Sequence, residues 1–315
     1  MTLKLALQDK TPAGGRIAQF TFTAADGSAL PSYTAGAHLD FDLGEAGTRS
    51  YSLVDFTPPG DAPASYTIAV QREEDGEGGS IAMHALEAGA EVTATVPKND
   101  FELRDGAAPV LLVAGGIGVT PIISFAAELD RRGTAFAAHY CTRSQALSTF
   151  GKQLSDAYGD RVSLWFDDAE PADLKALIAG VAAGTQIYCC GPKGMIEAVR
   201  ETAAAAGIDH DHVHFELFAS PASHEGDQPF EVEIADTGAV YVIPADKTII
   251  EVLEEAGVDV IYDCQRGDCG VCQCDVVAGE PDHRDVVLSD AERAEGKIMQ
   301  ICVSRAKSAR LVLDI

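Results

Sequence analysis

The stretch "DCQRGDCGVCQC", residues 263–274, holds four of the chain's eight cysteines. Three of these follow the spacing C-x4-C-x2-C, and a further cysteine follows the third after 29 intervening residues. This spacing is typical of plant-type [2Fe-2S] ligation, in which the fourth thiolate is distant in sequence. Gly267 and Gly270 suit such a loop, because the chain must curl tightly for backbone N–H groups to face sulfur. The predicted metal ligands are Cys264, Cys269, Cys272 and Cys302.

Two alternatives stay open for this loop. Four thiolates are also the ligands of a structural zinc ion, although such sites more often pair two C-x2-C halves. The spacing leaves Cys274 surplus. We interpret Cys274 as a half-buried, unligated thiol, with cluster exchange or redox sensing as the alternative.

The segments on either side of the loop predict a small α+β domain over residues 230–315. "FEVEIADTGAVYVIP" is typical of a β-hairpin, and "TIIEVLEEAG" predicts a helix that ends at Gly257. "SPASHEGDQP", residues 220–229, is polar and has no apolar periodicity. We interpret it as a linker.

In the rest of the chain, the pattern of apolar residues changes once. Over residues 1–102, short β-rich runs alternate with Gly, Pro and Asp turns, which predicts an antiparallel β-barrel with one helix from Ser80 to about Leu86. Over residues 103–219, apolar strands alternate with helices, which predicts an α/β domain with a parallel sheet. The predicted fold class is therefore multidomain.

Composition narrows the possible partners. The 315 residues include 46% hydrophobic and 23% charged residues, as in ordinary globular proteins, and the length favours two or three domains. The net charge of −26 is spread along the whole chain, so nucleic acid and anionic membrane surfaces are poor partners. Residues 106–127 carry no charge, but glycines and Pro121 interrupt them, which argues against a membrane span. No signal-peptide pattern opens the chain, so we expect a cytoplasmic protein with reduced thiols.

Two glycine-rich turns precede predicted helices. In "GEGGSIAMH", residues 76–84, free N–H groups at the helix start favour an anion. In "GGIGVTP", residues 115–121, Thr120 is predicted to be the N-cap and Pro121 the first helical residue. This turn is not the G-x-G-x-x-G fingerprint of a standard Rossmann fold.

Several motifs give the chain a family resemblance. "RSYS" at 49–52 matches R-x-Y-S, "CGPKGM" at 190–195 matches C-G-P-x-x-M, and "FELF" at 215–218 contains E-x-F. With the cysteine loop and "GEPDHRD" at 279–285, nearly the whole chain resembles the family of phthalate dioxygenase reductase and vanillate O-demethylase reductase. The resemblance implies a flavin-binding barrel, a NAD domain and a C-terminal β-grasp ferredoxin domain, in that order.

The resemblance also implies roles for the flavin residues. Arg49 meets the flavin phosphate, Tyr51 lies against the isoalloxazine, and Ser52 bonds near the flavin N5. These residue types fit, because a guanidinium binds phosphate and an aromatic face covers a flat ring. Relatives often have Arg where this chain has Glu77, and a carboxylate repels phosphate. We therefore expect either that Glu77 points to solvent or that the phosphate is bound by Arg49, with Arg72 as a second candidate. We favour FMN over FAD from the resemblance.

The resemblance implies roles for the residues near the nicotinamide as well. The resemblance places the "GGIGVTP" turn beneath the nicotinamide and pyrophosphate, Cys190 near the reacting nicotinamide carbon, and Phe218 over the flavin ring. Cys189 points to the opposite face of its strand and is predicted to be core. Arg143 is a candidate for binding the diphosphate or a 2′-phosphate, so it does not distinguish NADH from NADPH. NADH is preferred because of the family resemblance, and NADPH stays open. The residues predicted to act in the reaction are Ser52, Thr120, Cys190 and Glu216. The predicted cofactor-binding residues are Arg49, Tyr51, Ser52, Gly78, Gly79, Ser80, Gly115, Gly116, Gly118, Thr120, Pro121, Arg143, Cys190, Gly191, Pro192 and Phe218.

The predicted function is that of an NADH-dependent reductase that passes electrons through FMN and a [2Fe-2S] cluster to a terminal Rieske non-haem iron oxygenase. NADH yields paired electrons and the cluster takes one at a time, so a flavin is needed between them. The first alternative is a reductase of the same architecture that serves a haem or di-iron oxygenase. The second is a zinc-stabilised, non-catalytic binding protein.

Overall fold

The computed structural model describes residues 1–58, 60–74, 76, 78–218 and 226–315. The contacts of the chain divide it into two compact units, Met1–His214 and Phe215–Ile315, which we describe separately. The predicted domain boundary after residue 102 lies within the first unit and stays a prediction. Residues 220–225 of the predicted linker lie outside the described residues.

The first unit opens with an antiparallel sheet of six strands. Their bounds are Thr2–Gly14 (β1), Ile17–Ala24 (β2), His38–Asp42 (β3), Thr48–Ser52 (β4), Tyr66–Gln71 (β5) and Glu91–Thr95 (β6). The strand order is β4-β3-β6-β1-β2-β5, and a bridge between Leu53 and Ile68 joins the two ends of that order. The sheet therefore closes into the predicted barrel. Alternate residues such as Phe20 and Phe22 point inward and are fully buried.

A short helix, Gly79–Ala85 (α1), covers one end of this barrel. It begins after Gly78, whose φ of 88° is left-handed, and it buries Met83 among the barrel residues. The prediction of a single helix from Ser80 to about Leu86 is therefore confirmed to within a residue at each end.

A parallel sheet follows, and its last strand runs across the boundary between the two units. Its strands are Val110–Gly115 (β7), Phe136–Thr142 (β8), Val162–Phe166 (β9), Gln186–Cys190 (β10) and Val213–Glu216 (β11). The order is β11-β10-β7-β8-β9, and β10, β7, β8 and β9 pair in parallel. The connecting helices are Val119–Arg132 (α2), Gly151–Tyr158 (α3), Leu174–Ala179 (α4) and Lys193–Ala205 (α5). The predicted alternation of strands and helices is confirmed.

One hydrophobic core joins the barrel to the parallel sheet. Ile17, Val54 and Ala69 of the barrel lie in the same buried cluster as Ile122 and Phe125 of α2. The Ser124 hydroxyl of α2 donates a 2.7 Å hydrogen bond to the Leu53 carbonyl, directly after β4. The start of α2 is thereby fixed against the end of β4.

The second unit contains a mixed sheet with short helices. The elements are Phe230–Ile234 (β12), Val240–Ile243 (β13), Ile249–Glu255 (α6), Gln273–Ala278 (β14), Pro281–Asp282 (β15), Asp290–Glu295 (α7), Ile298–Gln300 (β16), Arg305–Ala306 (β17) and Arg310–Asp314 (β18). The main sheet has the order β13-β12-β18-β14-β16, with β12 parallel to β18. The predicted hairpin is β12–β13, and the predicted helix, α6, starts with a capping box at Thr248.

The part of the predicted linker that the structure describes is anchored within the second unit. The Arg284 guanidinium donates two hydrogen bonds, of 2.8 and 2.6 Å, to the Asp227 carboxylate. Both side chains are at most 10% exposed. Of the linker residues that the structure describes, Asp227 is therefore packed into the second unit.

Within the described ranges, no helix has both the length and the apolar character needed to cross a bilayer. Residues 106–127 instead form β7, a turn and the first part of α2.

Candidate redox site

The residues of the "RSYS" motif lie on β4 with alternating exposure. Tyr51 is half-buried and packs on Phe41 with 5.9 Å between ring centroids, and burial raises the pKa of Tyr51 to about 12. Ser52 is 6% exposed and pairs with His38 of β3. Arg49 is partly exposed, and its guanidinium donates to the Thr48 carbonyl at 2.8 Å.

Arg49 lies directly over the start of α1. A Cβ atom built on Gly79 would be 2.5 Å from Cγ and 2.7 Å from Nε of Arg49. Only a glycine allows this approach, because real Cβ contacts do not fall below about 3 Å. The structure therefore brings the predicted phosphate guanidinium and the predicted anion-binding helix start together. Glu77 lies outside the described residues.

Two side chains near α1 are already engaged. The Ser80 hydroxyl accepts a 2.9 Å hydrogen bond from the Glu73 N–H. Arg72 forms an ion pair with Glu74 at 3.0 Å. The backbone N–H groups at the start of α1 and the nearby Arg49 guanidinium are donors of the type that binds phosphate.

The turn after β7 differs from the sequence prediction in its cap. Helix α2 begins at Val119 with Gly118 as its N-cap, and no side chain caps it. Thr120 lies inside the first turn and its hydroxyl donates to the Ile117 carbonyl at 3.1 Å, so the predictions of Thr120 as N-cap and Pro121 as first helical residue are wrong. The physical reason is that three glycines let the chain enter the helical conformation earlier, through a short 3₁₀ turn at Gly116–Gly118.

The "GGIG" and "CGP" turns touch at the ends of adjacent strands. A Cβ atom on Gly118 would lie 2.4 Å from the Cys190 carbonyl oxygen, and one on Gly115 would lie 2.6 Å from Cδ of Pro192. The Cα of Gly115 is 3.1 Å from the Cβ position of Gly191. The carboxyl ends of parallel strands are where such sheets bind nucleotides, so this glycine-lined surface suits a dinucleotide.

The two neighbouring cysteines of β10 are both fully buried. Cys189 matches the prediction of a core residue, and burial raises its pKa above the ordinary thiol range. Cys190 has no exposed surface either, although its carbonyl is part of the close approach to Gly118. Arg143, which follows the end of β8, is exposed.

The "FELF" residues differ sharply in exposure. Within the second unit, Glu216 is 2% exposed, whereas Phe218 is 42% exposed. The Glu216 carboxylate lies 3.8 Å from the Arg266 guanidinium of the cysteine loop. The Leu217 N–H donates a 2.9 Å hydrogen bond to the Asp268 carboxylate of the same loop.

The cysteine loop is wound tightly by left-handed residues. Gly267 and Gly270 have φ of 80° and 78°, as predicted for glycines that let the chain curl. Gln265, with φ of 52°, is the one non-glycine residue with positive φ among the described residues. A Cβ on Gly267 would meet Cγ2 of Val303 at 2.6 Å, so the loop packs closely on the segment after Cys302. Such strain is retained where the surroundings impose it, often at functional sites.

The four predicted ligands form one connected set of thiols. Hydrogen bonds among these thiols lower the pKa values of Cys264 and Cys272 and raise those of Cys269 and Cys302, so the four sulfur atoms lie close together. The Arg266 N–H donates to the Cys264 sulfur at 3.3 Å. Thiolate is the form that binds iron, and backbone N–H donors to sulfur are usual in such loops. The donor set therefore fits a thiolate-bound [2Fe-2S] cluster.

Cys274 stands apart from these four. It lies on β14 opposite Met299, and burial raises its pKa to about 12. It is partly buried, which agrees with the interpretation as an unligated, protonated thiol.

Sequence reasoning missed two charged neighbours of the ligands. Arg266 and Asp268 stand between Cys264 and Cys269, and their side chains are 12% and 4% exposed. Burial raises the pKa of Asp268 to about 7, and the Arg266 charge opposes this rise. The sequence did contain a signal for this pair, because Arg266 and Asp268 place opposite charges within three residues of the ligand loop.

Comparison with known proteins agrees with this arrangement. Residues 232–307 match the family model of the 2Fe-2S iron-sulfur cluster binding domain. Residues 91–213 match that of the N-terminal domain of the dimethylamine monooxygenase subunit DmmA-like family. Vanillate O-demethylase oxidoreductase of Pseudomonas sp. (strain HR199 / DSM 7063) is 43% identical over 95% of this chain and 95% of its own.

Solved structures resemble the chain over its whole length. One is a phthalate dioxygenase reductase, described as a modular structure for electron transfer from pyridine nucleotides to [2Fe-2S], with a TM-score of 0.72, 35% identity and 98% of its length covered. Another is full-length CYP116B46 from Tepidiphilus thermophilus, with a TM-score of 0.79 and 36% identity. The present chain spans 42% of that longer protein.

The fold and site define an oxidoreductase that ends in a 2Fe-2S ferredoxin domain. Among such proteins, the chain belongs to the family of oxygenase reductases that includes vanillate O-demethylase oxidoreductase and phthalate dioxygenase reductase. The resemblance predicted from the motifs is confirmed.

Proposed function

We propose that the chain is an NADH-dependent reductase that delivers single electrons to the terminal component of a Rieske non-haem iron oxygenase. The observation that carries the proposal is the pairing of motifs in space. Arg49 lies over the start of α1 and the Gly118 turn touches Cys190, in a chain whose second unit holds four connected thiols. A flavin site, a nucleotide site and a cluster site are the three parts that such a reductase needs.

The flavin would be held at its phosphate by Arg49 and the backbone N–H groups of Gly79 and Ser80. Tyr51 offers an aromatic face beside them, and the buried Ser52 ends the strand with a small hydroxyl. We propose FMN, with FAD as the alternative. A bound flavin would supply the conversion of a two-electron hydride into single electrons that a [2Fe-2S] cluster can take.

The nicotinamide nucleotide would lie on the joined turns of Gly115–Gly118 and Cys190–Pro192. Gly115 and Gly118 have no Cβ atoms, so a pyrophosphate can approach the backbone closely and accept hydrogen bonds from its N–H groups. Arg143 is exposed after β8 and is available for the adenosine half. We propose NADH from the resemblance to phthalate dioxygenase reductase, with NADPH as the alternative.

The cluster would be held by the thiolates of Cys264, Cys269, Cys272 and Cys302. The four thiols are linked by hydrogen bonds, so their sulfur atoms are close enough to bind one metal centre. All eight cysteines are free, which suits a reducing compartment, and we propose the cytoplasm.

The partner is proposed from family resemblance together with the relatives' names. A relative 42% identical to this chain is named phenoxybenzoate dioxygenase subunit beta, and another, 36% identical, is named carnitine monooxygenase reductase subunit. The similarity to CYP116B46 favours a haem oxygenase as the second candidate acceptor.

Reconstitution tests this proposal. Purified reductase should reduce cytochrome c with NADH, and it should support substrate turnover when a Rieske oxygenase component is added. Turnover with a P450 component and none with any Rieske component would favour the second candidate. A colourless protein with no NADH-dependent dye reduction would refute both.

A further inference from the structure

Three charged side chains of the second unit are almost closed off from solvent. The side chains of Glu216, Arg266 and Asp268 are 3%, 12% and 4% exposed. The Arg266 guanidinium lies 3.8 Å from the Glu216 carboxylate and 3.5 Å from the Asp268 carboxylate. Burying a charge costs several kcal/mol unless other charges compensate it. The Arg266 guanidinium therefore offsets part of the cost of burying both carboxylates.

The triad lies against the predicted cluster ligands. The Arg266 N–H donates to the Cys264 sulfur at 3.3 Å, and the Asp268 side chain is hydrogen-bonded to the same cysteine. The other end of the triad holds the chain at residues 216–217, because the Leu217 N–H donates to the Asp268 Oδ2 atom at 2.9 Å. One carboxylate thus contacts a ligand and the neighbouring segment at once.

We propose that Arg266 and Asp268 are positioning residues that set the reduction potential of the cluster and fix the segment Glu216–Leu217 to the cysteine loop. The inference rests on the proposed function in one respect, namely that the loop carries the electron-accepting cluster. A cluster gains negative charge on reduction, so a nearby cation favours reduction and a nearby anion disfavours it. Burial strengthens both effects, since screening by water is weak there.

The geometry fixes the sign of each change. Removal of the Arg266 charge leaves both carboxylates buried without this cation, and the Asp268 carboxylate contacts Cys264, so the potential should fall. Asp268→Asn deletes one negative charge but keeps an oxygen that accepts from Leu217, so it should raise the potential. We expect each change to alter the reduction equilibrium constant roughly tenfold, about 59 mV for a one-electron couple.

Arg310 provides a matched control in the same unit. Its guanidinium also lies between two carboxylates, at 2.8 Å from Glu231 and 2.8 Å from Glu233, but its side chain is 46% exposed. Because solvent screens this site, Arg310→Gln should leave the potential unchanged.

The test is a dithionite titration of the full-length protein, followed by EPR of the reduced cluster. Opposite shifts for Arg266→Gln and Asp268→Asn, with none for Arg310→Gln, would support the proposal. Shifts no larger than that of the control, or shifts in the same direction, would overturn it. If Arg266→Gln fails to retain the cluster, the Asp268→Asn shift decides alone, and anything other than a rise refutes the assignment.

Hydrogen exchange tests the anchoring role. The Leu217 amide should exchange faster in Asp268→Leu, which removes its acceptor, and at the wild-type rate in Asp268→Asn. Equal exchange in all three proteins would show that Asp268 does not hold this segment. Dithionite replaces NADH in the titration, so a protein that fails to oxidise NADH still reports on the triad, and the two proposals fail separately.

Discussion

Gly79→Ala should weaken flavin binding while leaving the barrel folded. The new Cβ would lie 2.5 Å from Cγ, 2.7 Å from Nε and 3.0 Å from Cδ of Arg49. These atoms belong to a flexible side chain, so Arg49 will move aside and the backbone will stay in place. The variant then loses one charge-assisted contact to the flavin phosphate, worth ~1.5–3 kcal/mol. That loss corresponds to roughly 10- to 150-fold weaker binding.

The assay is flavin fluorescence during titration of the apoprotein with FMN. Gly60→Ala is the matched control, because a Cβ there meets nothing within 4 Å and the residue lies in the same unit. The control should bind FMN like the wild type. An unchanged dissociation constant for Gly79→Ala, with the circular dichroism of both variants intact, would refute the assignment of Arg49 to the phosphate.

Further predictions concern stability. Gly118→Ala places a Cβ 2.4 Å from the Cys190 carbonyl oxygen, and this backbone atom cannot move aside. The free energy of unfolding of the first unit, measured in urea, should therefore fall by ~1–3 kcal/mol. An unchanged unfolding midpoint would contradict the close approach. Asp227→Asn removes the charge of a buried carboxylate that binds Arg284, and cluster absorbance in urea should report a loss of about 3 kcal/mol. No loss would show that the pair is unimportant for stability. Burial lowers the pKa of His214 to about 4, so the unfolded state binds more protons between that value and its ordinary pKa of about 6.5, and stability should fall as pH drops through this window. His214→Gln should flatten that part of the profile, and an identical profile would exclude this histidine as the cause.

The sequence predicted the elements well where one local pattern decides them. The alternation in β2 and the continuous apolar run of β7 each leave a single way to bury the side chains. The cysteine spacing identified the loop for the same reason, because four thiols at those intervals suit few other purposes. The cap of α2 was mispredicted, since Thr120 is a good N-cap residue but the preceding glycines allow an earlier helix start.

What the sequence could not supply were contacts between distant residues. Arg49 and Gly79 are thirty positions apart, and their contact depends on how β4 and α1 pack in the barrel. The burial of Arg266 and Asp268 depends in the same way on Leu217 and Glu216, about fifty positions earlier. Charged residues in a loop are usually solvated, so local reasoning gave them no role.

The central claim is that paired electrons from NADH leave this chain one at a time through thiolate-bound iron. Anaerobic addition of NADH to wild type and Cys264→Ser, followed by visible absorbance and EPR, tests it most directly. We predict that the flavin is bleached in both proteins, while the signal of a reduced [2Fe-2S] cluster and rapid cytochrome c reduction appear only in the wild type. Wild-type protein without a reduced-cluster signal, or a variant that still reduces cytochrome c at the wild-type rate, would contradict the account.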